Sequence, residues 1–195
     1  MRALRTFAPI ALLLCFALSA FADDDTAQTF MKAKQTELSA LVKKHETQQK
    51  IGAVFDAILD YGTLAQGSLK DHWAERTDAE RKDFSDVLKQ LVQRAYRRNL
   101  DRTADYDVRF DGEDKQADGF IVKTVAQSRT NAREEPISID YLVHRVDGAW
   151  RIEDIITEGS SLVNNYHQQF NRIIKKDGFP ELMKRMRKKL ASNED

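Results

Sequence analysis

Apolar residues recur at helical spacing through the first half of the chain. Between residues 26 and 49, single apolar positions lie three and four residues apart, which predicts an amphipathic helix with one narrow buried stripe. The same spacing predicts a second helix from Ile51 to about Tyr61. Gly62 then permits a turn, after which the helical pattern continues to Trp73.

Local signals mark the helix boundaries further along the chain. Thr77 and Glu80 have the Ser/Thr-x-x-Glu spacing of a capping box, in which each side chain accepts a hydrogen bond from a free backbone N–H at a helix start. A broad apolar stripe follows and predicts a long helix that ends near Leu100. Helical spacing resumes at about Ser161, and Pro180 suits the first turn of a last helix.

Alternation of apolar and polar residues replaces the helical spacing after residue 104, and this predicts β-strands. A polar turn is expected from Gly112 to Gly119, and the pair Asp147 and Gly148 is a strong signal for a two-residue hairpin. The alternating sets predict four strands: Tyr106, Val108 and Phe110; Phe120, Val122, Thr124 and Ala126; Ile137, Ile139, Tyr141 and Val143; and Trp150, Ile152 and Ile156.

These elements predict an α+β fold in which a curled antiparallel sheet of about four strands is covered by helices on one face. No internal repeat or linker divides the chain, so residues 23–195 are expected to form a single domain.

The first 22 residues have the form of a cleaved secretory signal peptide. Arg2 and Arg5 precede an apolar run that ends in the small-x-small triplet of Ala20, Phe21 and Ala22. Three aspartates follow at once, which disfavours a membrane span and supports cleavage after Ala22. We therefore expect an exported, soluble domain.

Composition argues against several classes of function. The chain has 31 basic and 31 acidic residues that are interspersed, so it lacks the concentrated basic surface typical of nucleic-acid binding. The only cysteine, Cys15, lies in the signal peptide, so we expect neither disulfides nor a cysteine metal site after cleavage. Four histidines are scattered singly, and we predict no metal site and no cofactor.

A buried carboxylate is the best candidate for catalysis, because burial raises its pKa toward the working range of a general acid or base. Asp60, Asp140 and Asp154 are the candidates. The alternation places Asp140 toward water, opposite Tyr141, and a structural role is ordinary for Asp60 at a helix end, so we assign no catalytic residue. The alternative is an apolar cavity for a hydrophobic ligand, although the same large apolar residues would also fill a plain core.

The segment from Trp150 to Phe170 carries a more specific signal. Its sequence, WRIEDIITEGSSLVNNYHQQF, resembles a signature of the MlaC family, also called the toluene-tolerance family. The matching residues, in order, are Trp150, Asp154, Gly159, Ser161, Leu162, Asn165, Tyr166 and Phe170. A second block resembles the family upstream and includes Asp60, Tyr61, Ala65, Leu69, Trp73, the helix start from Thr77 to Arg81, Phe84 and Tyr96.

Two positions depart from the family pattern. His167 stands where an arginine usually follows the motif tyrosine, and Lys70 stands where a glycine is often found before the motif tryptophan. We expect both changes to leave the fold intact. Contacts that the family's usual residues make with a lipid headgroup or a partner are, however, less readily assigned to these two positions.

The resemblance implies a periplasmic carrier that binds a diacyl phospholipid by its acyl tails and is not an enzyme. It also implies two partners, an Mla-type ABC transporter complex in the inner membrane and a lipoprotein complex in the outer membrane, and a role in maintaining outer-membrane lipid asymmetry. We expect a monomer. A carrier of another hydrophobic lipid, such as a hopanoid, and an enzyme on a related cone-shaped fold remain as alternatives.

On this interpretation the sheet and the helices enclose an apolar cavity for the lipid tails. The residues expected to line it are Leu59, Leu64, Leu69, Leu88, Leu91, Val122, Tyr141, Val143, Ile156 and Val163, with Tyr61, Tyr96 and Tyr166 nearer its mouth. Trp150, Asp154 and Asn165 are expected to be structural residues at the corner between the last strand and the following helix.

Overall fold

The computed structural model describes residues 25–103 and 105–192, without the side chains of residues 99–103. The predicted signal peptide, residues 1–22, lies outside the described residues. Within the described part of the chain, no helix is long and apolar enough to cross a membrane.

Helices flank a single sheet along the chain. Five helices come first: α1 (Ala27–Lys43), α2 (Gln48–Ile58), α3 (Tyr61–Leu69), α4 (Asp71–Ala74) and α5 (Asp78–Thr103). The strands follow: β1 (Tyr106–Gln116), β2 (Gly119–Ser128), β3 (Ile137–Val146), β4 (Ala149–Thr157) and β5 (Ser160–Ser161). Two helices end the described chain: α6 (Leu162–Asp177) and α7 (Phe179–Ala191). The strands pair antiparallel in sequence order without closing into a barrel, so the predicted α+β fold is confirmed.

The local signals in the sequence act at the predicted places. The backbone N–H of Glu80 donates to Thr77 Oγ1 at 3.2 Å, and that of Thr77 donates to Glu80 Oε2 at 2.8 Å, which completes the capping box of α5. Ser161 caps α6 by accepting a hydrogen bond from the backbone N–H of Asn164 at 3.0 Å. The β3–β4 hairpin has positive φ at both turn residues, 49° and 79°, as a type I′ turn requires.

Several predicted boundaries differ from the observed ones. The first helix ends at Lys43, and Thr47 caps a separate helix α2. Gly62 lies inside the first turn of α3, and the break before that helix falls at Asp60 instead. Gly112 is not part of a turn, because β1 continues through it with a β-bulge, where its φ of 122° suits a residue without Cβ.

A second bulge lies between β3 and β4. The register shifts between Leu142 and Val143, so that Val143 lies opposite Ile152 while Leu142 lies opposite Asp154. Glu153 of β4 therefore has no partner on β3. Beyond it, the residues of β4 that face the helices change from even-numbered to odd-numbered positions.

The bulge in β4 changes which isoleucine faces the helices. Directly opposed residues of an antiparallel pair share a face of the sheet. Ile155 lies opposite Tyr141 on the helical side, whereas Ile156 lies opposite Asp140 on the outer side. The predicted alternation along β4 is therefore wrong at Ile156.

The best-packed part of the core holds the helices to one another. Phe84 of α5 has no exposed surface, and its ring lies 5.6 Å from that of Phe170 and 6.4 Å from that of Phe179, centroid to centroid. Leu64 and Leu182, each at most 2% exposed, belong to the same cluster. Full burial of such a side chain contributes about 1.5–3 kcal/mol to folding. This cluster joins α3, α5, α6 and α7.

Lys70 adopts a backbone conformation that residues with Cβ rarely take. It connects α3 to α4 with φ of 51° and ψ of −117°, at the position where the family pattern favours glycine. Such a conformation costs a non-glycine residue about 1–3 kcal/mol, whereas glycine adopts it readily.

We expect Lys70→Gly to raise the free energy of unfolding by about 1 kcal/mol, because relief of strain exceeds the entropy that glycine adds to the unfolded chain. Urea denaturation of both proteins measures the difference. Lys175→Gly, at an exposed helical position in α6, is the control and should lower stability by about 1 kcal/mol. A loss of stability in Lys70→Gly would contradict the assignment of strain.

Candidate functional site

The helices cover the inner face of the sheet unevenly. α1 packs on β1 and β2, and α2, α3 and α6 pack on β4. The longest helix, α5, makes its principal contacts with α2, α3 and α7 instead of with the strands. Close backbone contacts between α5 and the central strand β3 are therefore few, and we call the region between this strand and the inward side of α5 the inner gap.

Several large apolar side chains on the helical side of the sheet remain partly exposed. They are Val108 and Phe110 of β1, Ile137, Ile139 and Tyr141 of β3, and Ile155 of β4. Further along the same face Val122, Val143 and Ile152 are at most 2% exposed. Thr124 and Ala126 of β2 are also buried, at 1% and 5% exposed, whereas Phe120 opposite Val143 is partly exposed. The accessible apolar surface on the helical side of the sheet therefore lies mainly along β1, along the first half of β3 and at Ile155.

Most of the residues predicted to line a cavity belong to one hydrophobic cluster. Leu59, Leu64, Leu69, Leu88, Val122 and Val143 are buried in it, and Tyr61, Leu91, Tyr141, Val163 and Tyr166 are partly buried against it. Ile156 lies on the outer face of the sheet, and Tyr96 stacks on Phe55 with ring centroids 4.5 Å apart. Contact of these residues with a ligand stays a prediction.

Three residues that border the inner gap were not among the predicted lining residues. Ile137 and Ile139 were assigned to the apolar face of a strand but not to the site, and their partial exposure is what distinguishes them from core residues. Ile155 was missed because alternation alone gives no sign of a bulge.

One side of the inner gap is closed where α3 and α6 approach each other. A Cβ placed on Gly67 would lie 2.8 Å from Val163 Cγ1, so only glycine permits this approach. Tyr166 stacks on Phe170 along α6 with ring centroids 5.3 Å apart. Burial raises the pKa of Tyr166, which keeps its phenol neutral.

Tyr61 and Tyr96, predicted near the mouth, share one carboxylate. Tyr61 Oη donates to Asp56 Oδ1 at 2.6 Å, and Tyr96 Oη donates to the same oxygen at 3.3 Å. Gln93 Nε2 donates to Asp56 Oδ1 at 2.9 Å and to Oδ2 at 2.8 Å. These hydrogen bonds join α2, α3 and α5 on the polar side of α5.

The environment fixes the charge of these groups. Burial alone would raise the pKa of Asp56, but the hydrogen bonds from Tyr61 and Gln93 and the charge of Lys89 outweigh burial and lower it. Burial, together with the neighbouring Asp56 carboxylate, raises the pKa of Tyr61. Burial raises the pKa of Tyr141 to about 12. The phenols are therefore neutral at physiological pH, and the wall of the inner gap stays uncharged at Tyr141.

The carboxylates considered for catalysis are held by structural hydrogen bonds. Asp60 Oδ1 accepts from the backbone N–H of Thr63 at 2.9 Å and caps α3. Asp154, which is 8% exposed, accepts from the backbone N–H of Val163 at 3.0 Å. Asp140 accepts a long hydrogen bond of 3.4 Å from the backbone N–H of Thr124. Among the described residues, no group of three or more potential ligands could hold a metal ion.

Asp154 and Asn165 form hydrogen bonds at the corner between β4 and α6, whereas Trp150, predicted to belong to the same corner, lies at the start of β4 beside the β3–β4 hairpin. Asp154 also accepts hydrogen bonds from Ser161 Oγ and the backbone N–H of Ile155, which ties the strand to the start of the helix. Asn165 Nδ2 donates to Ser160 Oγ at 2.9 Å. Trp150 Nε1 donates to Asp25 Oδ1 at 2.7 Å and so holds the start of the described chain to the sheet.

Comparison with known proteins identifies one family. The sequence profile of the family described as MlaC protein matches residues 24–188. None of the curated proteins compared with the chain matches it. Among solved structures, the fold resembles a phospholipid-binding protein from Ralstonia solanacearum determined in complex with a phospholipid at 1.53 Å resolution. The two chains are 22% identical with a TM-score of 0.71, and the match covers 86% of this chain and 99% of that one, which shows a shared fold.

We expect Asp56→Asn to lower the free energy of unfolding at neutral pH by about 1–3 kcal/mol, because Tyr61 and Gln93 lose a charged acceptor. The folded-state pKa of Asp56 lies below its ordinary value of 3.8. The stabilisation is therefore complete above 3.8 and is lost as the pH falls through the lower, folded-state value. Denaturation between about pH 6 and about pH 3 should show the difference between the two proteins shrink.

Asp86→Asn is the control for this measurement. It removes an exposed carboxylate that pairs with Lys82 at 2.6 Å, and we expect a change below about 0.5 kcal/mol at any pH. If Asp56→Asn destabilised the protein equally at both ends of the pH range, the ionised carboxylate would not be the source of the effect.

Proposed function

Since the chain belongs to the MlaC family, we propose that it is a periplasmic carrier that binds one diacyl phospholipid by its acyl tails. The observation that carries this proposal is the inner gap, where β3 and α5 present apolar side chains that no other part of the described chain covers fully. The tails would lie along Ile139, Tyr141 and Ile155 on the sheet and Leu91 on α5, with Tyr61 and the other two predicted tyrosines toward the opening.

The physics of lipid transfer requires a binding space of this kind. Each methylene removed from water contributes about 0.8 kcal/mol, and a diacyl lipid has on the order of thirty of them, so free lipid in water is negligible. A carrier must offer surroundings about as apolar as the bilayer, because the free energy of moving a lipid between carrier and membrane is then close to zero. Aliphatic side chains and a neutral Tyr141 meet this requirement.

The comparison structure supports the same proposal. The Ralstonia protein has this fold and was determined with a phospholipid bound. Binding rather than catalysis is also favoured by the carboxylates, since Asp60 and Asp154 are engaged in capping and corner hydrogen bonds.

We further propose where the carrier works. The signal-peptide pattern of residues 1–22 and the family membership support export to the periplasm. There it would exchange lipid with an Mla-type ABC transporter complex of the inner membrane and a lipoprotein complex of the outer membrane, which would maintain the lipid asymmetry of the outer membrane.

Native mass spectrometry tests the proposed cargo. The chain from Asp23 onward, produced in a bacterial periplasm and purified without detergent, should carry one bound mass that lipid extraction identifies as a diacyl phospholipid. A bound mass matching a hopanoid would replace phospholipid as the cargo. A folded, stable protein without any bound lipid would contradict the carrier proposal.

Leu91→Asp should lower the lipid-bound fraction by about tenfold or more, because a carboxylate at this predicted lining position must be desolvated when tails bind. Val125→Asp is the matched control, since Val125 is also partly exposed but lies opposite Arg109 and Ser138 on the outer face of the sheet. Circular dichroism and thermal unfolding establish that both variants fold. Full lipid content in folded Leu91→Asp would count against this lining residue.

Two neighbouring residues of β4 provide a second, sharper comparison. Ile155→Asp should deplete bound lipid, whereas Ile156→Asp should retain it, because the bulge turns only Ile155 toward the helices. The lipid content of each variant is read by native mass spectrometry. The reverse order would mean that Ile156 lines the cavity, as the alternation along β4 first suggested.

A further inference from the structure

A second concave surface lies on the other side of α5. It has a volume of about 450 Å³ and is formed by the start of α2, the outer side of α5 and the end of α7. We call it the arginine groove, and its lining residues are Gln48, Gln90, Gln93, Arg94, Arg97, Arg98 and Leu190.

The helical period separates this groove from the inner gap. With 3.6 residues per turn, Arg97 lies about 180° and Gln93 about 140° around α5 from Leu88, which is 1% exposed. The ring of Tyr96 on α5 stacks on Phe55 of α2 between the two helices. A ligand in the arginine groove therefore meets a different set of side chains from a lipid tail in the inner gap.

Three arginines and no acidic residue are among the described residues that line the arginine groove, and the adjacent carboxylate, Asp56, is bound by Gln93. Arg97 and Arg98 are exposed, and within the described part of the chain neither forms an ion pair with a carboxylate. Four exposed arginines elsewhere form such pairs, Arg109 with Asp111, Arg145 with Asp25, Arg185 with Asp177, and Arg187 with Asp83, whereas the exposed Arg133 and Arg172 form none within the described residues.

Two of the lining residues are held in place by the fold. Arg94 Nη1 donates to the carbonyl oxygens of Lys189 and Leu190 at 3.0 and 3.2 Å, which binds α5 to the end of α7. Gln93 is fixed by its two hydrogen bonds to Asp56. The walls of the groove are thus preformed, which lowers the entropy lost when a partner binds.

We propose that the arginine groove is a docking surface for an acidic segment of a partner protein. Guanidinium groups bind carboxylates through paired hydrogen bonds, and the glutamine side chains can bond to a peptide backbone. A concave surface of this size suits a protruding protein segment better than a flat anionic bilayer, and a single phosphate ion would leave most of the volume empty.

A defined peptide tests this assignment without any lipid. The probe is a fluorescein-labelled peptide of six Glu-Ser repeats, titrated by fluorescence anisotropy at low ionic strength, with six Lys-Ser repeats as the opposite charge. The acidic peptide should bind, and Arg97→Glu combined with Arg98→Glu should weaken it by about tenfold or more. Gln90→Lys adds a positive charge to the groove and should strengthen binding, which covers the case in which the double variant is unstable.

A matched charge change elsewhere is the control. Lys175→Glu combined with Lys176→Glu alters the net charge equally at the exposed end of α6 and should change peptide affinity by less than about twofold. Amide chemical shifts on peptide addition should move at Gln90, Gln93 and Arg97. Equal weakening by both double variants would show general charge attraction and would overturn the docking site.

Two further titrations test whether the groove binds an anionic ligand other than a protein segment. Vesicles of phosphatidylglycerol in phosphatidylcholine and inorganic phosphate are titrated against the same variants. If vesicles or phosphate bind and the Arg97 and Arg98 double variant weakens that binding, while the acidic peptide does not bind, the proposal would also be overturned. The lipid content of the Arg97 and Arg98 double variant should equal that of the unchanged protein, so failure of the docking surface and failure of the carrier function are separate results.

Discussion

On the proposed function, the space between α5 and β3 has to stay open although its walls are apolar. The hydrophobic effect favours closing such a space, since every square ångström of apolar surface removed from water contributes roughly 25 cal/mol. Ile139, Tyr141 and Ile155 nevertheless keep partly exposed surface on the covered side of the sheet. The remainder of the fold must therefore hold the two walls apart, and most of its specific contacts can be understood in this way.

Packing among the helices supplies much of that resistance. The cluster around Phe84 joins α5 to α6 and α7 through aromatic contacts that do not involve the sheet. The close approach of Gly67 to Val163 fixes α3 against α6, and Asp154 ties the start of α6 to β4. These contacts fix the helices relative to one another and α6 to the sheet without contributions from β3.

The sequence predicted the elements better than it predicted the site. The capping box at Thr77 and the hairpin at Asp147 are short-range signals, and both were located correctly. The bulge that turns Ile155 inward depends on pairing between two strands, so no local pattern reveals it. Whether an apolar residue such as Ile139 fills a core or borders a space depends on how far away the opposite helix lies. That distance is set by tertiary contacts.

The position of α5 explains how the space persists. A helix that is held only by its apolar stripe must press that stripe against the sheet, which would close the inner gap. α5 is also held from its polar side: Gln93 donates to Asp56 of α2, and Arg94 donates to the carbonyl oxygens at the end of α7. Charge-assisted hydrogen bonds of this kind contribute about 1.5–3 kcal/mol each, comparable to the burial of one large apolar side chain. Since these polar contacts fix the helix from outside, its inward side does not have to be packed against the strands for the helix to stay in place.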